Sequence, residues 1–121
     1  MARVIGVGGV FPRMGDPVAL REWYTRVLGI AFESWGGTAF PALDGGITAF
    51  SFFAPSTDYF APSTREVMLN FVVDDLDGLL AKAETEGVKP LGRDDSDPNG
   101  SFAWIMDPAG MKIELWQPKA N

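Results

Sequence analysis

The chain states one pattern twice. Asp107-Pro-Ala-Gly-Met-Lys-Ile-Glu-Leu-Trp-Gln-Pro118 is a turn feeding a strand, and Asp44-Gly-Gly-Ile-Thr-Ala-Phe-Ser-Phe-Phe-Ala-Pro55 repeats its Asp, small turn residues, apolar alternation and closing Pro without a gap. Such a repeat reads as two copies of one structural unit. The copies differ where chemistry is concerned: the second strand carries Glu114, a carboxylate able to hold a metal or act as a base, and the first has Ser51 there.

The duplication extends upstream of both strands. A Gly-broken strand from about Arg3 to Pro12 precedes Asp16, which caps a helix with Pro17 at its first position. Leu20, Trp23, Tyr24, Val27 and Leu28 recur at helical spacing, which predicts one buried stripe, and Gly29 ends the helix. In the second half a strand from about Glu66 to Val73 leads to Asp74-Asp75. Leu76, Leu79, Leu80 and Ala83 then share a helical face, and Gly87 takes the place of Gly29. Further strands are expected at Ile30 to Trp35, Thr38 to Leu43 and Ile47 to Phe53, then at Val88 to Leu91, Ser101 to Met106 and Lys112 to Trp116. That is βαβββ twice, an α+β chain with module one at about 1–55, a linker at about 56–65 and module two at about 66–119.

Ala54 to Thr64 contains Ala-Pro-Ser-Thr twice and reads as a turn-rich connector, with Tyr59 and Phe60 available to fold over a cleft as a lid. Gly92 to Gly100 is acidic and reads as a solvated hairpin connection, its clustered Asp residues a weak attraction for a cation. Gly6-Val-Gly8-Gly9 lacks the helix start of a dinucleotide site, because Phe11 and Pro12 follow.

Composition removes whole classes of function. At 121 residues the chain is one domain, 1–121, by size. Its net charge of −6, with scattered Lys and Arg, argues against nucleic acid and anionic membrane as partners and suits a cationic ligand better. Without Cys or His there is no thiolate, no sulfur metal site and no imidazole base. No targeting pattern or membrane-length apolar run is present, so the expected location is cytoplasmic.

Three segments together carry a family likeness: Asp16-Pro-x-x-Leu-x-x-Trp-Tyr-x-x-x-Leu-Gly29, Phe71-Val-Val-Asp-Asp75 and Asp107-Pro-x-Gly-x-x-Ile-Glu-Leu-Trp116. Through them the chain resembles the vicinal oxygen chelate superfamily, which contains glyoxalase I, extradiol dioxygenases and bleomycin resistance proteins. The resemblance implies curled mixed sheets with helices on the outer face and a cleft on the inner face. It also implies metal-ligand positions on the first and last strand of each module, which by spacing are Gly9, Ser51, Met68 and Glu114. Only Glu114 suits Mg, Mn, Fe or Zn, so no metal site and no cofactor are expected, one divalent metal ion being the alternative.

If Glu114 faces the cleft that the resemblance implies, alternation turns Lys112 and Trp116 to it as well, together with Ala49, Ser51 and Phe53, with Met68, Asn70 and Val72, and with Gly9 and Phe11. The expected ligand-binding set is Phe11, Ser51, Phe53, Met68, Asn70 and Trp116, with Glu114 as catalytic candidate. For Glu114 a cleft base or ligand contact stands against a strand Glu that is solvated or paired with Lys112.

Three functions stay open. The first is a small-molecule-binding protein of the bleomycin resistance type, its metal site degenerate, taking an apolar or aromatic ligand with a positive or proton-donating group between the modules. The second is a glyoxalase-type lyase or isomerase with Glu114 as metal ligand and base. The third is a structural or interaction module. A homodimer is expected, because curled sheets with open edges need covering.

Overall fold

The computed structural model describes residues 2–42 and 45–119. Leu43 and Asp44, and with them the end of one expected strand and the first residue of the first repeat, lie outside the described residues. The elements are β1 (Val4–Pro12), α1 (Pro17–Leu28), β2 (Gly37–Pro41), β3 (Ile47–Ser51), β4 (Val67–Val73), α2 (Leu76–Thr85), β5 (Gly92–Asp97), β6 (Gly100–Met106) and β7 (Lys112–Pro118). The strands form one curled mixed sheet in the order β2-β3-β1-β4-β7-β6-β5. Its symmetry follows the repeat: β1 runs parallel to β3 as β4 runs parallel to β7, and antiparallel β1 and β4 join the halves within one chain.

Local chemistry explains the helix ends. Asp16 accepts from the backbone N–H of Val18 and Ala19, Pro17 occupies the first turn, and Gly29 closes α1 at φ 72°. Asp75 accepts from Gly78 N–H at the start of α2. The repeat turn behaves as its composition requires. Asp107 Oδ1 accepts from Ala109 and Met111 N–H at 2.8 and 2.9 Å, and Gly110 takes φ 84°.

The second module carries the core. Val73, Leu76, Ala103 and Leu115 are buried, with Phe71, Leu79, Leu80, Ile105 and Ile113 packed around them between α2 and the outer face of β4, β6 and β7. Val73, Leu76 and Leu115, which are nearly fully buried, each contribute about 1.5–3 kcal/mol by leaving water.

Four expectations are corrected. The α1 stripe is not buried: α1 has no buried residue, and Trp23, Val27 and Leu28 are exposed. Its outer sheet face is only three strands wide, two of them short, and Tyr24 meets the aromatic pair Phe50 and Phe52 at 5.9 and 4.9 Å. Ile30 to Trp35 is not a strand, because Gly36, at φ 96°, turns the chain back and pairs Glu33 with Gly37. Val88 to Leu91 is not one either, since Pro90 has no N–H to offer a ladder. The strand expected there forms one step later as β5, in the segment read as a loop. Module one is therefore βαββ and module two βαβββ. Among the described residues no helix is long and apolar enough to cross a membrane.

Candidate functional site

The inner face of the sheet is where the symmetry axis places one residue from each half. Gly9 of β1 lies opposite Ala49 of β3 and Asn70 of β4, and Asn70 lies opposite Glu114 of β7. A register shift between Val7 and Gly9 brings two glycines, Gly8 and Gly9, to this point. A bulge of this kind bends the strand at a site.

Glu114 is the centre of the arrangement and is only 5 % exposed. Its Oε1 accepts from Asn70 Nδ2 at 2.7 Å; its Oε2 accepts from the Tyr59 hydroxyl at 2.5 Å and from Trp104 Nε1 at 2.8 Å. All three donors are uncharged. Lys112 does not pair with it but donates to the Tyr59 carbonyl at 2.6 Å, its ammonium lying over the Tyr59 and Trp104 rings. Burial pulls the Lys112 ammonium below its ordinary value, with Glu114 and Asp58 opposing. Burial first, and then the hydrogen bond and charge of Glu114, hold the Tyr59 phenol well above the usual tyrosine range.

Tyr59 arrives from the connector and reaches Glu114 through its hydroxyl. Its ring stacks on Phe53 at 5.5 Å, Phe60 beside it is fully buried, and Arg13 donates to the carbonyls of Thr57 and Ser63. Ser63 and Arg65 tie the far end to the carbonyls of Gly110 and Ala109.

The other sequence candidates fall in two groups. Phe11, Ser51, Phe53 and Glu114 line a 430 Å³ cavity beneath Tyr59, while Phe11, Asn70, Glu114 and Trp116 line a neighbouring one of 510 Å³. Trp116 stacks on Phe102, its plane within 2° of parallel at 5.9 Å, and donates to Asn99 O. Met68 is fully buried and lines neither cavity. Ile47 and Trp116 also border a third cavity of 670 Å³ toward Lys119, so the hollow continues along the sheet.

The positions expected from the resemblance to hold metal ligands carry the following groups. The Phe11 ring folds back over Gly9, and a Cβ there would lie 2.5 Å from its tip. Met68 offers a buried thioether, Ser51 a neutral hydroxyl, and three of the lone-pair directions of Glu114 are taken. Among the described residues no three His, Cys, Asp or Glu side chains group to hold a metal ion.

Sequence reasoning missed Trp104, Glu33, Trp35, Gly8 and Phe102. Trp104 was legible in principle, since β6 pairs with β7 and sets Trp104 opposite Glu114. Trp35 bends over Gly37 and bonds Glu33 from a segment expected to be a strand, and nothing in the sequence pattern marks it.

A family model described as a glyoxalase-like domain matches residues 9–116. No curated protein sequence matches the chain. Among solved structures, the Streptomyces coelicolor methylmalonyl-CoA epimerase in complex with 2-nitronate-propionyl-CoA is similar at TM-score 0.70 and 18 % identity, over 98 % of this chain and 100 % of that one. The Mycobacterium tuberculosis methylmalonyl-CoA epimerase gives TM-score 0.67 and 22 % identity over 97 % of this chain and 90 % of that one. A 2,3-dioxygenase from Pseudomonas sp. KL28 gives TM-score 0.61 and 19 % identity over 97 % of this chain and 42 % of that one. At such identities the likeness speaks for the fold.

Proposed function

The chain belongs to the glyoxalase-like domain family of the vicinal oxygen chelate superfamily, and on that footing we propose that it is a small-molecule-binding protein whose metal site has been given over to packing and hydrogen bonding. The ligand is a flat apolar or aromatic molecule held along Phe11, Phe53, Phe102 and Trp116. One observation carries this reading: Glu114, the one family ligand position with a suitable side chain, is engaged by Asn70, Tyr59 and Trp104, and Phe11 fills the space over Gly9. Aromatic walls with a few polar points are the usual composition of a small-molecule site.

The test has two arms. Elemental analysis after dialysis is expected to find no stoichiometric transition metal, and Trp116→Ala is expected to weaken flat aromatic ligands by about 1–3 kcal/mol through lost apolar burial. A stoichiometric metal that disappears in Glu114→Gln overturns the reading. It would promote the alternative, a glyoxalase-type lyase or isomerase with a divalent ion on Glu114.

We also propose a homodimer. Val18, Val27 and Leu28 on α1 and Phe40 on the edge strand β2 leave apolar surface that a second copy can cover.

A further inference from the structure

Donors and acceptors at the floor of the cleft do not balance. The Asn70 amide turns its NH₂ toward Glu114 Oε1, which accepts from it at 2.7 Å. The orientation of the other amide atom is thereby fixed. Asn70 Oδ1 faces away from Glu114, has less than 1 Å² of accessible surface and has no hydrogen-bond partner, the one buried side-chain polar atom among the described residues in that condition. A buried acceptor without a donor has given up its bond to water and received nothing in return.

The surroundings of this oxygen belong to the cavity. A Cβ placed on Gly8 would lie 2.3 Å from Oδ1, 2.9 Å from Val72 Cγ2 and 3.1 Å from Trp116 Cε3. Gly8, Asn70 and Trp116 all line the 510 Å³ cavity, whose wall continues into the parallel rings of Trp116 and Phe102. Any side chain at position 8 would drive into the amide oxygen, so the glycine on the bulge keeps the acceptor in place.

We propose that Asn70 Oδ1 is the polar anchor of the ligand: it accepts a hydrogen bond from an N–H or O–H on the edge of a flat aromatic molecule seated against Trp116. The proposal rests on the aromatic-cleft reading and narrows it. Glu114 is then a positioning residue, which fixes the direction of the amide rather than taking the ligand's proton or charge. A neutral anchor needs no cation. It does need a donor, because an acceptor edge would set lone pair against lone pair. With so little of the oxygen exposed, a neighbour must yield as the donor arrives; Val72 and Trp116 border the 670 Å³ hollow, and Gly8 and Trp116 the 510 Å³ cavity.

Indole and benzofuran test the proposal on the wild-type protein, since they share shape and size and differ in N–H against ring oxygen. Calorimetric titration is expected to show indole binding about tenfold or more tighter, with the Asn70 side-chain amide signals moving in ¹⁵N NMR spectra. Asn70→Ala should bring the two probes within about twofold of each other while benzofuran still binds. Glu114→Gln, which lets the amide turn, should narrow the ratio as well. Equal binding of both probes to the wild type, with Trp116 signals shifting, overturns the anchor and leaves the aromatic cleft standing. Failure of both probes to bind overturns the cleft reading and the anchor with it. Should Asn70→Ala not fold, the wild-type ratio decides, and Gly8→Ala, which pushes on Oδ1, supplies the second variant.

Discussion

Tyr59 shows how one side chain ties the connector to the site. Its phenol is held above the ordinary value of about 10 by burial and by Glu114. The unfolded chain therefore ionises first. The stabilisation is whole below about pH 10 and is lost as pH rises from there toward the folded-state value. Tyr59→Phe is expected to cost about 1 kcal/mol at neutral pH, at the low end for a bond to a carboxylate because the residue is 40 % exposed. Urea unfolding should show the gap between wild type and variant level up to about pH 10 and shrinking above it; a gap that stays constant to about pH 11 would contradict the account. Of this cluster, the family resemblance put Glu114 on the cleft face, and alternation on β7 then gave the residues that share it. Its partners Asn70 and Tyr59 are 44 and 55 residues away, a distance that local pattern does not bridge. The alternative of a Glu114–Lys112 pair gave way to a closer set of neutral donors.

The two helices look alike in sequence and differ in what they cover. α2 seats Leu76, 0 % exposed, in the main core, whereas α1 buries nothing fully. Leu76→Ala is accordingly expected to cost about 2–5 kcal/mol. Local opening follows burial, so amides of α1 should exchange with deuterium faster than those of α2; equal protection in a monomeric sample would count against this packing. Caps, turn residues and the repeat made the helices and most strands legible. The periodicity of Leu20, Trp23, Tyr24, Val27 and Leu28 gave the correct helix, but not how wide a sheet face it would meet. β5 was hidden for a different reason. It is an edge strand, where charge protects an open ladder, and its Arg93 pairs with Asp95 at 2.9 Å on the same strand and with Asp77 of α2 at 2.6 Å. An acidic stretch read as a loop was an edge strand.

At the scale of the whole molecule the duplication is the organising fact. It produces one sheet with a pseudo-twofold axis between β1 and β4, and the cleft lies on that axis. Apolar surface left on α1 and β2 leads us to expect a dimer mass by light scattering at micromolar concentration, and a strictly monomeric mass would contradict it. The central claim is that this cleft holds a flat organic molecule where its family relatives' ligand positions would hold a metal. The indole N–H region of a ¹⁵N NMR spectrum tests it most directly, because Trp104 touches Glu114, Trp116 lines the cleft and Trp23 lies on the outer helix. On titration with benzofuran the Trp116 signal should move and that of Trp23 should not, and on titration with Mn²⁺ the Trp104 signal should keep its intensity. Selective loss of the Trp104 signal with Mn²⁺, and no movement of Trp116 with the aromatic probe, would contradict the account.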